Sequence, residues 1–172
     1  GQGILVATAR GVPRLRGIAR ASGRARGVAS VVLNVNNDPG NAIFGTEFVP
    51  LTKEDGLVEK IGGLRLRTRA GAFLQANPNI AGRIYRQAVE WAEAGPDDAV
   101  VDLYCGAGAL TLQLAAVAHT AFGFEVSPIA IVDAKRNARL NGIGNSRFRA
   151  GDAAALLAEL RDAVAPAAIT LN

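Results

Sequence analysis

The fold is decided by residues 99–125, whose sequence is AVVDLYCGAGALTLQLAAVAHTAFGFE. The stretch opens with a short apolar run at 99–103, which is typical of a buried strand. A glycine turn at 104–109 and a segment of helical composition at 110–116 follow, and a second apolar run ends at Glu125. Strand, glycine loop, helix, strand and acid, in this order, predict the core of a nucleotide-binding β-α-β unit.

Three residues of this stretch have separate physical roles. Gly106 and Gly108 can adopt backbone angles that are closed to other residues, and they leave room for a ligand on the main chain. Glu125 ends the second strand, where a carboxylate can accept hydrogen bonds from both hydroxyls of a ribose. Ligands of such folds bind at the carboxyl edge of the sheet. We therefore predict that Gly106, Gly108 and Glu125 bind a cofactor.

Two further positions distinguish between classes of cofactor. Thr111 stands where a dinucleotide fingerprint has its third glycine, and Asp102 directly precedes the loop, where it would repel a pyrophosphate. S-adenosylmethionine carries cationic amino and sulfonium groups and has no phosphate. The residues therefore favour S-adenosylmethionine over a nicotinamide or flavin dinucleotide, and a dinucleotide-dependent oxidoreductase stays open as an alternative at this point.

The composition excludes several classes of site. The 172 residues include one cysteine and one histidine, which rules out an internal disulfide or a multi-cysteine metal site and argues against zinc. We predict no metal-binding residue. No apolar run approaches the roughly 20 residues of a membrane span, so no membrane partner is expected. The single cysteine favours a cytoplasmic location, and the absence of methionine predicts that the sequence is an incomplete protein.

Positive charge is concentrated at the beginning of the chain. Residues 1–69 hold eleven Lys and Arg against five Asp and Glu, whereas residues 70–172 hold eight against ten. Six arginines and no acid lie between Arg10 and Arg26. This patch is interpreted either as a contact for phosphate groups or as a solvated face, because no aromatic residue is interleaved to stack on bases.

The chain divides into two segments by its pattern of strands and helices. The pattern of residues 1–69 predicts a small α+β module with strands at 3–9, 28–35, 42–48, 58–61 and 64–68 and a helix at 14–21. In residues 70–172 the pattern predicts about four strands alternating with helices. The first helix spans 78–94 with Ile80, Ile84, Ala88 and Trp91 on one face, and Tyr85 and Trp91 are expected to pack in the core. Asp152 follows the strand at 147–150, where it could contact an adenine amino group or cap the next helix.

Four short motifs carry a resemblance to a known family. They are FLQANP at 73–78, DLYCGAG at 102–108, GFE at 123–125 and NARLNG at 137–142. Together they resemble the uracil-5 RNA methyltransferases that use S-adenosylmethionine, over about residues 28–172. The resemblance implies an α/β fold: a Rossmann-like class I methyltransferase core, here partial because its C-terminal strands are missing, preceded by the small α+β module.

The resemblance also implies roles for individual residues. Gln75, Tyr104, Glu125 and Asn172 match the family's cofactor-contacting positions. Asn172 matches the first residue of a D/N-P-P-R motif, and asparagine there resembles the branch that methylates uracil C5 in 23S ribosomal RNA to 5-methyluridine. The transfer-RNA branch is the near alternative. RNA is the implied partner in both cases.

The family's chemistry requires groups that these residues do not include. A cysteine attacks uracil C6 and a glutamate removes the C5 proton, and both lie downstream of the D/N-P-P-R motif. The family's iron–sulfur motif lies upstream and is not encoded either. Cys105 lies in the cofactor loop, where packing is the expected role. We therefore predict no catalytic residue and an enzyme fragment that binds cofactor without turnover. The alternative of another class is a non-catalytic RNA-binding module.

Overall fold

The computed structural model describes residues 2–72 and 77–171. The chain separates into two compact units, the first formed by residues 1–57 and 68–71 and the second by residues 58–67 and 72–172. The elements in chain order are β1 (Gln2–Ala7), α1 (Leu15–Gly23), β2 (Ser30–Val35), β3 (Glu47–Pro50), β4 (Gly56–Ile61), β5 (Leu64–Arg69), α2 (Pro78–Ala92), β6 (Ala99–Leu103), α3 (Ala109–Leu114), β7 (Thr120–Glu125), α4 (Pro128–Leu140), β8 (Ser146–Ala150), α5 (Ala153–Arg161) and β9 (Ala168–Leu171).

The first unit is organised around β2, all of whose residues are buried. β1 pairs with β2 in parallel and β3 pairs with it in an antiparallel arrangement, while α1 connects the parallel pair. The predicted strand at 42–48 is wrong, because the strand begins only at Glu47. The buried side chain of Asn34 donates to the carbonyls of Gly45 and Glu47 and accepts from the Gly45 amide, so it occupies backbone groups that a strand would use.

The second unit contains a four-stranded sheet in the order β8-β7-β6-β9, in which all neighbours are parallel. The chain moves outward from β6 to β7 and β8, then returns to the other side of β6 to form β9. Residues of α3 and α4 belong to one hydrophobic cluster and residues of α5 to a second one. The reversal between β6 and β9 is the topological switch point at which folds of this type bind ligands. The predicted α/β, Rossmann-like fold class is confirmed.

Helix α2 buries Tyr85, as predicted, and half-buries Ala88, but it exposes the rest of the predicted face. Ile80, Ile84 and Trp91 are 54%, 52% and 77% exposed, whereas Tyr85 is buried. The buried side is set by close approach, because a Cβ on Gly82 would lie 3.1 Å from a backbone nitrogen of the turn between β4 and β5. Both faces of the helix carry apolar residues, so periodicity could not choose between them.

No helix in the described ranges combines the length and the apolar character that crossing a bilayer requires.

Candidate cofactor site

The loop after β6 turns sharply at the carboxyl edge of the sheet. Tyr104, Gly106 and Gly108 have φ angles of 61°, 53° and 85°, in the left-handed region that L-residues with side chains rarely adopt. The Cys105 amide donates to the Phe124 carbonyl at 3.0 Å, and the Gly108 amide donates to the Cys105 carbonyl at 2.8 Å. These bonds hold the loop against the end of β7.

Glu125, the last residue of β7, is fixed by two backbone amides. Its Oε2 accepts from the Gly106 amide at 3.1 Å, and its Oε1 accepts from the Ser127 amide at 2.9 Å. The structure therefore brings the predicted acid into direct contact with the predicted glycine loop. Each carboxylate oxygen keeps a further lone pair. The carboxylate is positioned and can still accept two hydrogen bonds from a ligand.

The two loop glycines serve different purposes. A Cβ on Gly106 would meet no heavy atom within 4 Å, so the main chain there borders open space. A Cβ on Gly108 would lie 2.9 Å from the ring of Phe148, and one on Gly123 would lie 2.7 Å from the same ring. Gly106 leaves room for a ligand, whereas Gly108 and Gly123 leave room for the Phe148 side chain that packs beneath the loop.

Tyr104 combines backbone strain with an accessible side chain. It is 52% exposed, and its φ of 61° is unusual for an aromatic residue. The left-handed conformation costs about 1–2 kcal/mol for a residue with a Cβ. Strain of this kind is concentrated at functional sites. Here it places an aromatic ring at the carboxyl edge of β6.

Asp152 lies beyond the neighbouring strand end. The Gly151 amide donates to the Glu125 carbonyl at 3.0 Å, which joins the end of β8 to the end of β7. Asp152 is exposed, and its Oδ1 accepts from the Ala155 amide at 2.9 Å, so it caps α5. Of the two alternatives derived from the sequence, the structure displays the helix cap, and a contact with adenine stays a prediction.

Asp102, the acid that directly precedes the loop, is fully buried. Its carboxylate accepts from the hydroxyls of Thr111 at 2.6 Å and Thr170 at 3.1 Å. Burial raises the pKa of Asp102 from 3.8 to about 6, although the hydroxyl hydrogen bonds act in the opposite direction. Thr111, at the position of a third fingerprint glycine, therefore holds this buried acid.

Cys105 is packed, as predicted. It is 1% exposed, and burial together with the charges of Asp102 and Glu125 raises the pKa of its thiol. A buried thiol with a raised pKa carries almost no thiolate at neutral pH and is a poor nucleophile.

Asn137 is a supporting residue that the sequence analysis quoted only as part of a motif. Its side chain is fully buried on α4 and donates to the carbonyls of Arg67 and Ala107, each at 3.0 Å, while accepting from the Arg67 amide at 2.7 Å. It joins β5 to the glycine loop. The available clue was Asn137 itself, which lies inside a helix, where asparagine is intrinsically unfavourable.

Two of the predicted cofactor contacts, Gln75 and Asn172, lie outside the described residues. The structure brings together Tyr104, Gly106, Gly108 and Glu125 at one edge of the sheet. Asp152 lies two residues beyond the end of β8 and directly follows Gly151, whose amide donates to the Glu125 carbonyl.

Comparison with known proteins agrees with this architecture. Residues 94–164 match the family described as a methyltransferase domain. The second unit has a Rossmann-like methyltransferase fold. The chain is similar to the tRNA (uracil-54, C5)-methyltransferase of Pyrococcus abyssi in complex with S-adenosyl-L-homocysteine, with a TM-score of 0.58, 21% identity and coverage of 72% of this chain and 30% of that one. The tRNA m1G37 methyltransferase of M. jannaschii gives a TM-score of 0.52, 17% identity and coverage of 88% and 46%.

Relatives at higher sequence identity are named uncharacterized RNA methyltransferases. One from Geobacter sulfurreducens is 44% identical over 133 residues, which cover 77% of this chain and 27% of the relative. One from Halalkalibacterium halodurans is 43% identical over 126 residues, which cover 73% and 28%. The chain thus spans between a quarter and a third of the length of these relatives.

Proposed function

We propose that the chain is the cofactor-binding part of an S-adenosylmethionine-dependent RNA methyltransferase that methylates uracil C5, with 23S ribosomal RNA as the favoured substrate. The names of the bacterial relatives support the RNA methyltransferase. The four motifs support uracil C5, as does the name of the Pyrococcus abyssi neighbour. The asparagine at position 172 favours the ribosomal branch over transfer RNA.

One observation carries the cofactor assignment: the Glu125 carboxylate is anchored beside a main chain that borders open space. The amides of Gly106 and Ser127 fix both oxygens, and the open side of Gly106 admits a flat ligand. A ribose offers two hydroxyl donors at the spacing of one carboxylate. The negative charges of Glu125 and buried Asp102 suit a cationic ligand without phosphate better than a dinucleotide.

The remaining predicted contacts complete the proposal. The exposed ring of Tyr104 would lie against the cofactor, and Asp152 would contact the adenine amino group through the oxygen that does not cap α5. Gln75 and Asn172 would bind polar groups of the cofactor. S-adenosylmethionine, when bound, supplies an electrophilic methyl group. The chain's own residues orient it and keep the loop main chain accessible.

Titration calorimetry with S-adenosylmethionine tests the assignment. We expect Glu125→Ala to weaken binding by about 10- to 100-fold, the range for a lost hydrogen bond to a charged group. Glu159→Ala is the matched control, because Glu159 is an exposed acid that pairs with Arg149 away from the loop. Binding that is equal in wild type and Glu125→Ala would overturn the assignment, and so would NAD⁺ displacing S-adenosylmethionine at equal concentration.

A second pair of variants separates ligand space from stability. Gly106→Ala and Gly142→Ala both place a Cβ at a positive φ, of 53° and 68°, and neither Cβ meets an atom within 4 Å. Each should lower the free energy of unfolding by about 1 kcal/mol. Only Gly106→Ala should weaken cofactor binding. Equal effects of both variants on binding would contradict a ligand lying on the Gly106 main chain.

The choice of RNA is tested by competition. A labelled fragment of 23S ribosomal RNA should be displaced from the chain by unlabelled ribosomal fragment at lower concentration than by transfer RNA. The reverse order would favour the transfer-RNA branch.

A further inference from the structure

Helix α1 of the first unit carries three arginines on one side. Arg16, Arg20 and Arg24 are spaced four residues apart, and Arg24 continues the helix as its αR C-cap. At 1.5 Å per residue, successive members are about 6 Å apart along the axis. We call these three residues the arginine row. They line a cleft of about 500 Å³ whose remaining lining residues include Leu51 and Thr52.

The arginine row has no counterion among residues 2–72 and 77–171. All three residues are exposed, and none of them makes an ion pair or a side-chain hydrogen bond with any residue in the described ranges. The first unit does pair a nearby arginine where an acid is available, since Arg10 bonds to Glu47. Within the described residues the row is therefore unpaired, although Arg10 of the same unit forms an ion pair.

Repulsion between the arginines of the row opposes the stability of α1, although Arg20, in the last turn, is favourably placed relative to the helix dipole. Like charges four residues apart destabilise a helix by about 0.2–0.5 kcal/mol per pair. α1 has no acid in its first turn, and its N-cap is Arg14, in a left-handed conformation with φ of 58° and without a side-chain cap. A cation at this end also opposes the helix dipole. A bound polyanion would relieve the repulsion between the arginines of the row.

The geometry selects a phosphodiester backbone among polyanions. Guanidinium groups bind phosphate oxygens in bidentate fashion, and a regularly spaced row can meet successive phosphates of one strand. Aromatic side chains, on which bases would stack, do not line the cleft in the described part of the chain. We infer that the arginine row binds the phosphodiester backbone of RNA without reading its bases. This inference rests on the proposed function, in which RNA is the substrate.

The salt dependence of RNA binding is the decisive measurement. Binding of a fluorescein-labelled single-stranded 20-nucleotide RNA to the full chain is followed by anisotropy over a series of NaCl concentrations. Three lost phosphate contacts should reduce the slope of log K against log[salt] by about 2 for a single strand. We expect the triple variant Arg16→Gln, Arg20→Gln, Arg24→Gln to show this change and at least tenfold weaker binding at low salt.

Two matched variants control for charge and for folding. The triple variant Arg83→Gln, Arg86→Gln, Arg161→Gln removes the same charge from exposed positions on α2 and α5 and should keep the wild-type slope. Replacing the arginine row by three lysines keeps the charge and should keep most of the slope. An equal loss of slope in both glutamine variants would mean that net charge alone explains the effect, and it would overturn the inference. A wild-type slope in the glutamine variant of the arginine row would overturn it as well.

The choice of partner is tested in the same assay. Poly(U) and poly(A) 20-mers should bind within threefold of each other, and a preference above tenfold would overturn binding without base readout. Polyglutamate that competes as well as RNA at equal charge would assign the row to an acidic peptide instead. Calorimetry with S-adenosylmethionine should be unchanged in the row variant, so failure of the cofactor proposal and failure of this one are observed separately.

Discussion

Tyr104 holds a conformation that lowers stability at the edge where a cofactor is proposed to bind. Replacing it by glycine removes the left-handed strain, and the half-exposed ring contributes little packing. We expect Tyr104→Gly to leave the free energy of unfolding unchanged or raise it by up to about 1 kcal/mol. Affinity for S-adenosylmethionine should fall at least fivefold, because the aromatic contact is lost.

Glu93→Gly is the control for Tyr104→Gly. Glu93 has a φ of 48° at the C-cap of α2, so glycine relieves the same kind of strain before the start of β6, whereas the loop follows its end. It should stabilise the protein without changing affinity. Urea unfolding and calorimetry on both variants give the comparison. A Tyr104→Gly protein that binds cofactor as tightly as wild type would show that the strain serves no ligand.

Asp102 makes the stability of the fold depend on pH. Its pKa is about 6 in the folded protein and 3.8 as the ordinary value, so between these two pH values the folded state holds a proton that the unfolded state releases. This preferential protonation of the folded state contributes to the free energy of unfolding. The contribution is fully present below pH 3.8 and is lost as the pH rises through about 6. The pKa difference corresponds to about 3 kcal/mol.

The pH effect is measured as a difference between proteins. Urea unfolding of wild type and of Asp102→Asn is measured at pH 4 and at pH 7.5. The difference between the two proteins cancels the titration of all other groups. From pH 4 to pH 7.5, the free energy of unfolding of wild type should fall by about 2–3 kcal/mol relative to that of Asp102→Asn. Asp97→Asn is the control, because Asp97 is exposed. This variant should differ from wild type by the same amount at both pH values. A difference of opposite sign would mean that the Thr111 and Thr170 hydrogen bonds outweigh burial.

At the scale of elements, two asparagines connect α4 to a strand far away in sequence. Asn137 and Asn141 bond to the amides and carbonyls of Arg67 and Arg65, as a neighbouring strand would. Asn137→Asp keeps the shape but cannot donate to the carbonyls of Arg67 and Ala107, and it buries a charge. We expect it to lower the free energy of unfolding by about 3 kcal/mol.

Asn141→Asp is the matched comparison, because Asn141 is only partly buried. It should lower the free energy of unfolding by about 1 kcal/mol. Hydrogen exchange on Asn137→Leu should localise the effect, with faster exchange of the Arg67 amide, because the oxygen that accepts from it is lost. Equal losses in the two variants, or unchanged exchange at Arg67, would contradict a role for Asn137 in holding β5.

The elements that could be predicted are those whose cause is local. The run 99–103, the glycine loop and Glu125 were predictable because a buried parallel strand, a tight turn and a strand-end acid each leave a local pattern. The buried face of α2 depends on how closely Gly82 approaches another segment. The late start of β3 depends on Asn34, eleven residues before Gly45. The role of Asn137 depends on a backbone seventy residues away, which no local pattern records.

At the scale of the whole molecule, the chain possesses a single thiol, and that thiol is unsuited to nucleophilic attack. The sequence contains one cysteine, Cys105, which is 1% exposed and whose pKa is raised by burial and by two nearby carboxylates. In the family that the sequence resembles, methylation of uracil C5 requires a cysteine thiolate that attacks C6 of the base. The 172 residues should therefore bind S-adenosylmethionine without activating uracil.

Tritium release from RNA labelled at uracil C5 tests this prediction directly. With S-adenosylmethionine and the chain together, we expect release no faster than in buffer, and Cys105→Ser should behave identically. The Cys105 thiol should react with a disulfide reagent at least 100-fold more slowly in the native protein than in urea, because both exposure and thiolate are suppressed. Release that is abolished by Cys105→Ser would instead make Cys105 the nucleophile, and it would require the loop to open far enough to expose a side chain that now packs beneath the proposed cofactor.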